Sequence, residues 1–326
     1  MLHSFVVPRL LPHLPAWAPA GRKVAFSIVT KPFLALHLRD TDPNFVRVSP
    51  GNSKLPIPST LPCEAVIYAQ LEGVEGIPRI HWSGQGKNAN VIVMDKLGLN
   101  LEHLRRFCRG QLGLKTILML GEQMLSTIEH VHARGIIVHD IKPENFAMGY
   151  LEDYQRLCLF DMGLSKLYLD PATGKHIPFR EGRGGIGTPR YASHNVHFGL
   201  EPSRRDDVEA IGILLLYLLH GRLPWQGICA PDIPAKLRRI GEMKRGDRFT
   251  DLLARSPAFF TPFFAHCRAL KFEEKPDYAS LRKLLREEMK DNGWEYDWKY
   301  DCRYGIHLIR GNSYEHWAFT RGAIQS

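Results

Sequence analysis

The sequence predicts an α+β protein of two unequal lobes, a small mixed lobe followed by a larger, mainly helical one. Three stretches carry this reading. VIVM (91–94) is a short apolar run between polar residues, the pattern of a buried strand. KTILMLGEQMLSTIEHVHARG places apolar residues at Ile117, Leu120, Met124, Leu125, Ile128 and Val131 and meets a stop at Gly135, which predicts an amphipathic helix. DDVEAIGILLLYLLHG (206–221) is apolar nearly all round, so its helix belongs at the centre of the helical lobe.

Taken in chain order, the first 62 residues hold ten of the 22 prolines, a density that forbids a long helix. They contain no acidic residue before Asp40, as transit peptides do, but the prolines interrupt the amphipathic helix that such a peptide needs. VAFSIV (24–29) and FVRV (45–48) read as short strands whose pairing the sequence leaves open. EAVIYAQL (64–71) has the spacing of a short helix, and the small lobe ends near Leu97 and Gly98. Beyond the long helix, RLCLF (156–160) reads as a strand and YASLRKLLREEMK (278–290) as a further amphipathic helix. The chain divides into a proline-rich segment 1–60, the remainder of the small lobe at 61–97, a helical lobe at 98–302 and a short tail at 303–326.

With 326 residues, 44% of them hydrophobic, the chain can bury a sizeable core. A net charge of +9 suits nucleic acid, an anionic membrane surface, or acidic and phosphorylated proteins, and equally a merely basic solvated surface. The longest apolar run, Ile213 to Leu219, is too short to span a membrane. Nucleic acid ranks last as a partner, because basic and aromatic residues do not interleave as in a stacking platform. Six cysteines lie far apart with no C-x-x-C pair, so zinc ligation and a disulfide framework both lack their usual spacing. A reducing compartment, cytoplasmic or nuclear, is the expectation.

The chemistry concentrates in VHDIKPENFAMG (138–149), where Asp140, Lys142 and Asn145 share one loop, and Asp161 follows 21 residues after Asp140 in LFDMG. A carboxylate to orient a hydroxyl, a lysine to neutralise a phosphate and an Asn/Asp pair to hold Mg²⁺ are the parts of phosphoryl transfer, which asks mainly for positioning and charge neutralisation. The spacing follows H-R-D-x-x-x-x-N and then D-F-G. The plain alternative makes Asp140 and Asn145 turn formers and Asp161 a loop cap.

Further segments resemble the casein kinase I family of serine/threonine protein kinases: LPCEAVIYAQLEGVEGIPRIHWSG (61–84), VIVMDKLGLNLEHL (91–104), IKPENFAMG, HIPFREGRGGIGTPRYASHNVHFGLEPSRRDDVEAIG (176–212), LPWQG (223–227), KFEEKPDYASL (271–281) and WEYDWKYD (294–301). The likeness spans roughly Leu61 to Asp301, about three quarters of the chain. It implies a bilobal protein-kinase-like fold with a reduced N-terminal β lobe, ATP and Mg²⁺ as cofactors, and protein substrates that are acidic or already phosphorylated. By the same resemblance, Asp140 is the catalytic base, Lys142 the partner of the transferred phosphate, and Asn145 and Asp161 the metal ligands. Glu64 is the first-lobe helix glutamate, Met94 the gatekeeper, and Asp95 and Leu97 lie on the hinge that reads adenine. Asp207 braces the catalytic loop, and Arg183, Arg190 and Lys236 form an anion pocket, unless all three are simply solvated surface cations.

The pattern breaks in the small lobe. No G-x-G-x-x-G or V-A-I-K precedes Glu64, and Pro50 stands fourteen residues before it, where the family carries its phosphate-gripping lysine. Lys54 and Lys31 are the nearest substitutes. Val138 and His139 replace the His and Arg before the catalytic aspartate, and Met162 replaces the phenylalanine after Asp161. Phe160 and Ala147 stand where a smaller residue and an adenine-floor aliphatic are usual, so Phe160 crowds the nucleotide and Ala147 loosens its floor. These departures fit an impaired kinase, a catalytically silent scaffold, or an incorrect gene model for the first 60 residues. A small-molecule phosphotransferase of similar fold is a further reading, against which SRRDD and LPWQG speak.

Overall fold

The computed structural model describes residues 25–27, 34–37, 44–50, 61–85, 89–182 and 187–301. Arg183, Lys31, Lys54 and the tail 303–326 lie outside them. The first lobe is built on a five-stranded antiparallel sheet of β1 (Ala25–Ser27), β2 (Leu34–His37), β3 (Asn44–Pro50), β4 (Ile80–Gln85) and β5 (Ala89–Asp95), in the order β1-β2-β3-β5-β4. The two strands expected in the proline-rich segment are there, joined by β2, which the sequence reading did not find. β3 pairs with β5 in continuous register from Asn44 opposite Asp95 to Pro50 opposite Ala89. Pro50 closes the strand, a position that tolerates the missing N–H. The segment before residue 61 thus supplies three of the five strands of this sheet.

Helix α1 (Leu61–Gln70) crosses between β3 and β4, burying Leu61, Glu64, Ile67 and Tyr68. Past Asp95 the chain enters the second lobe through β6 (Leu97–Asn100), which pairs with β8 (Phe146–Gly149) and then β9 (Leu157–Leu159) in a small separate sheet. A Cβ at Gly98 would lie 2.8 Å from the Gly149 carbonyl oxygen, so only glycine lets the two backbones meet there. Asn100 caps α2 (Leu101–Phe107) by accepting the His103 N–H at 2.9 Å.

The expected amphipathic helix is α3 (Leu114–Ala133), ended by Gly135 at φ +75°. The central helix is α4 in no sense but the next but one: a short α4 (His194–His197) precedes α5 (Arg204–His220), which is buried at every position from Asp206 to Leu218. α3 and α5 pack together with α9 (Tyr278–Asp291) against them, and α5 also packs on α8 (Phe260–Ala269). α6 (Ile233–Arg245) and α7 (Asp247–Ala254) complete this lobe, with β7 (Ile136–Ile137) and β10 (Lys166–Leu167) paired beside the catalytic loop. The seam of α3, α5 and α9 is tight at Gly121, where a Cβ would stand 3.0 Å from Leu285 and 3.1 Å from Leu215.

Among the described residues no helix is long and apolar enough to cross a membrane. Cys108, the residue that caps α2, is disulfide-bonded. Spacing rules speak for cysteines close in sequence, whereas the bond requires only that two Cα atoms come near in space.

Candidate active site

The long helix α3 and the turn at Gly135 deliver the chain to β7, and the residues after it form the loop that holds Asp140. This loop is fixed from α5. The buried Asp207 carboxylate accepts the Val138 N–H at 2.7 Å and the His139 N–H at 2.9 Å. His139 takes φ +68°, a left-handed conformation that turns the backbone toward Asp140. His132 Nε2 lies 3.0 Å from Asp207 Oδ2, and its Nδ1 lies 2.6 Å from the Tyr278 hydroxyl of α9. His132 therefore brings a ring nitrogen to the same carboxylate that holds the Val138 backbone.

Burial pushes the Asp207 carboxyl up, but the hydrogen bonds from His132 and the Val138 N–H outweigh it and hold the group below its ordinary value. Burial lowers His132 against the opposing pull of Asp207. The pair rests as a carboxylate and a neutral imidazole, with Nε2–H donating to Asp207 and Nδ1 accepting from Tyr278. His139 is pushed down to about 4, chiefly by burial, and is neutral at physiological pH.

Asp140 is 6% exposed. Its Oδ2 accepts from Lys142 Nζ, its Oδ1 accepts from the Thr188 hydroxyl at 2.7 Å, and its carbonyl accepts from Asn145 Nδ2 at 3.0 Å. Sequence reasoning missed Thr188, although it stands in the quoted GIGTPR. Gly187 makes this contact possible: it lies at φ +82°, and a Cβ there would be 2.5 Å from the His139 carbonyl oxygen.

Asp161 also takes a left-handed conformation, φ +66°. Its N–H reaches the Tyr68 hydroxyl at 3.0 Å, and the Met162 N–H reaches Glu64 Oε1 at 3.2 Å. Helix α1 thus docks on the DMG segment through two side chains one turn apart. Asn145 and Asp161 are joined through the backbone, since the Phe160 N–H donates to the Asn145 carbonyl at 2.9 Å. With its amide nitrogen committed to Asp140, Asn145 keeps its amide oxygen as an acceptor, and an amide oxygen together with a carboxylate such as that of Asp161 is the hard donor type that Mg²⁺ takes. These residues fit the ion.

Met94 is buried on β5, 1% exposed. Asp95 donates its N–H to the Arg79 carbonyl at 3.0 Å, and its side chain accepts from the Arg79 N–H and meets His81 Nε2 at 2.8 Å. Leu97 opens β6 opposite Gly149. Ala147 is buried on β8, and Phe160 is partly exposed at the mouth.

Of the three basic positions, two lie among the described residues. Arg190 donates from Nη1 to the Tyr191 hydroxyl at 3.2 Å and lies over the rings of Tyr191 and Tyr217. Lys236 is exposed on α6, and Arg183 lies outside the described residues.

Asp140, Lys142 and Asn145 thus meet on one loop, Phe160 just before Asp161 is tied to Asn145, and Glu64 and Tyr68 of helix α1 dock on the DMG segment of a bilobal α+β scaffold. The sequence model of the protein kinase domain matches residues 50–251, more than half of the chain. The chain belongs to the protein kinase domain family, whose members transfer a phosphoryl group from ATP to protein substrates with a divalent metal ion.

Proposed function

We propose that this chain is a serine/threonine kinase of the casein kinase I type, acting on substrates that are acidic or already phosphorylated near the target hydroxyl. The carrying observation is the double hold on Asp140, by Lys142 on one oxygen and Thr188 on the other. A carboxylate so oriented can accept the proton of an incoming hydroxyl, while Lys142 neutralises charge on the transferred group. Asn145 and Asp161 would hold Mg²⁺, which neutralises the charge that develops on the phosphates. Met94, Asp95 and Leu97 would border the adenine, and Arg183, Arg190 and Lys236 would draw the substrate's anionic group.

The test is phosphate incorporation into a serine peptide carrying an upstream phosphoserine, with the same peptide unphosphorylated for comparison. Incorporation that favours the primed peptide and disappears in Asp161→Asn is expected; incorporation indifferent to Asp161→Asn sinks the assignment.

Pro50 favours a second reading, a catalytically silent scaffold. It closes β3 where the family's phosphate-gripping lysine is expected, and loss of such a donor costs on the order of 10² to 10³ in rate. Calorimetry with Mg·ATP separates the two. Saturable binding lost in Asp161→Asn supports the kinase, and a folded chain that binds no nucleotide supports the scaffold.

A further inference from the structure

Lys244 stands on α6 with no exposed surface, and no carboxylate comes within ion-pair distance of it among the described residues. Its Nζ donates to the Pro189 carbonyl at 3.0 Å and to the Ala192 carbonyl at 2.5 Å, and lies 3.0 Å from His197 Nε2. The amine is thereby satisfied on three sides. The nearest acid, Glu209, is taken by His194 at 2.9 Å and by Arg268 at 3.5 Å. Burial pushes this amine well below its ordinary value, and a sealed polar group is costly where a methionine would fill the same space more cheaply. What the lysine secures must therefore lie in the carbonyls that it holds.

Those carbonyls bracket Arg190 and Tyr191 and follow directly on Thr188, the residue that touches Asp140. Pro189 has no N–H, and the Tyr191 and Ala192 N–H groups turn back on the Thr188 carbonyl at 3.0 and 3.1 Å, so no strand ladder is left to take the outward carbonyls. Trp225 supplies the one between, its indole N–H donating to the Arg190 carbonyl at 2.8 Å. Two side chains from beyond the segment thus hold three of the four carbonyls from Pro189 to Ala192. The fit depends on close approach of α6 to α4: a Cβ at Gly241 would lie 2.7 Å from His197 Cβ. Arg268 holds α6 from the other side, donating to the Lys244 carbonyl at 2.6 Å.

We propose that Lys244 is a positioning residue for the protein substrate, which fixes the segment Thr188 to Ala192 as the floor on which the peptide lies. This deepens the kinase reading and rests on it for the identity of the ligand. The lysine touches neither nucleotide nor reacting atoms, so its influence falls on the peptide side of the site.

The experiment uses the full chain and its Lys244→Met variant, with folding checked by circular dichroism. The probes are Mg·ATP and a fluorescent serine peptide with an upstream phosphoserine, each binding measured separately, together with amide exchange across 187–193. In the folded variant, peptide affinity is expected to fall about tenfold, as for loss of one hydrogen bond of ordinary strength, with Mg·ATP affinity within about twofold of the parent. Exchange at Tyr191 and Ala192 is expected to quicken. Unchanged peptide affinity, or peptide and nucleotide affinity falling together, overturns the proposal. Should Lys244→Met not fold, Trp225→Phe carries the test, since it removes the donor to Arg190 and keeps an aromatic ring beside Phe249: weaker peptide binding at constant Mg·ATP affinity supports the segment's role, and no change overturns it. A parent chain that binds Mg·ATP but no primed peptide overturns the substrate class of the kinase reading. In that event the exchange data decide: quickening confined to 187–193 sustains the positioning by Lys244, and its absence overturns it.

Discussion

His132 Nε2 lies 3.0 Å from Asp207 Oδ2, and this buried contact joins three helices to the catalytic loop. Asp207 holds the loop backbone, His132 holds Asp207, and Tyr278 holds His132. Tyr278→Phe keeps the ring and leaves the buried His132 Nδ1 without its donor, which should cost about 1–3 kcal/mol. Urea denaturation reads this as a lower midpoint at unchanged slope. An unshifted midpoint would show that the hydroxyl contributes nothing to the buried chain of contacts.

How far this arrangement was legible in the sequence varies along the chain. The helices α3, α5 and α9 were readable because their apolar spacing reports burial directly, and β5 because a four-residue apolar run between polar residues has few other uses. The sheet was readable only in part. β2 is short and lies in a proline-rich stretch, and strand order depends on long-range pairing that no local pattern encodes. Asp140, Lys142, Asn145 and Asp161 stood out by spacing alone. His132 and Lys244 did not, because a polar residue on a helix looks the same whether it faces solvent or is sealed against a carboxylate or a carbonyl. The anion pocket at Arg183, Arg190 and Lys236 came from the family resemblance alone, and the contacts of the Arg190 guanidinium with the Tyr191 hydroxyl and the rings of Tyr191 and Tyr217 were not legible in the sequence.

Thr188→Ala removes one of the two holds on Asp140 while leaving Lys142 in place. Turnover on the primed peptide should fall on the order of 10²-fold, the usual penalty when a reacting group is misoriented. Mg·ATP affinity should stay the same, since Thr188 touches neither Asn145 nor Asp161. Steady-state kinetics beside nucleotide calorimetry checks this, and equal losses in both would place Thr188 in the nucleotide site instead.

The buried histidines make stability depend on acid. His139 falls to about 4 and His197 to about 3, both chiefly by burial, and His132 is lowered by the same cause. Each takes up a proton more readily in the unfolded chain than in the folded one. The stability tied to them is therefore fully present above about pH 6.5, the unfolded value, and is lost as pH falls toward the folded values. For His139 alone the loss approaches about 3 kcal/mol. His139→Asn, which tolerates the left-handed backbone, should flatten the decline in denaturation midpoint between pH 6.5 and 4. An unaltered slope would mean that His139 is not among the groups responsible.

Gly187 and Gly182 share a left-handed backbone, φ +82° and +77°, but differ in what surrounds them. A Cβ at Gly182 meets nothing within 4 Å, so Gly182→Ala should cost only the backbone penalty of roughly 1–2 kcal/mol. At Gly187 the same methyl group would sit 2.5 Å from the His139 carbonyl oxygen, and that carbonyl cannot yield freely because the neighbouring amide is fixed by Asp207. The segment must move instead, carrying Thr188 off Asp140. Gly187→Ala should therefore lose turnover about as far as Thr188→Ala or further, roughly 10²-fold, with a thermal midpoint close to that of Gly182→Ala. Comparing the two alanine variants removes the shared backbone term, so equal activities would show that the contact with His139 does not set the position of Thr188.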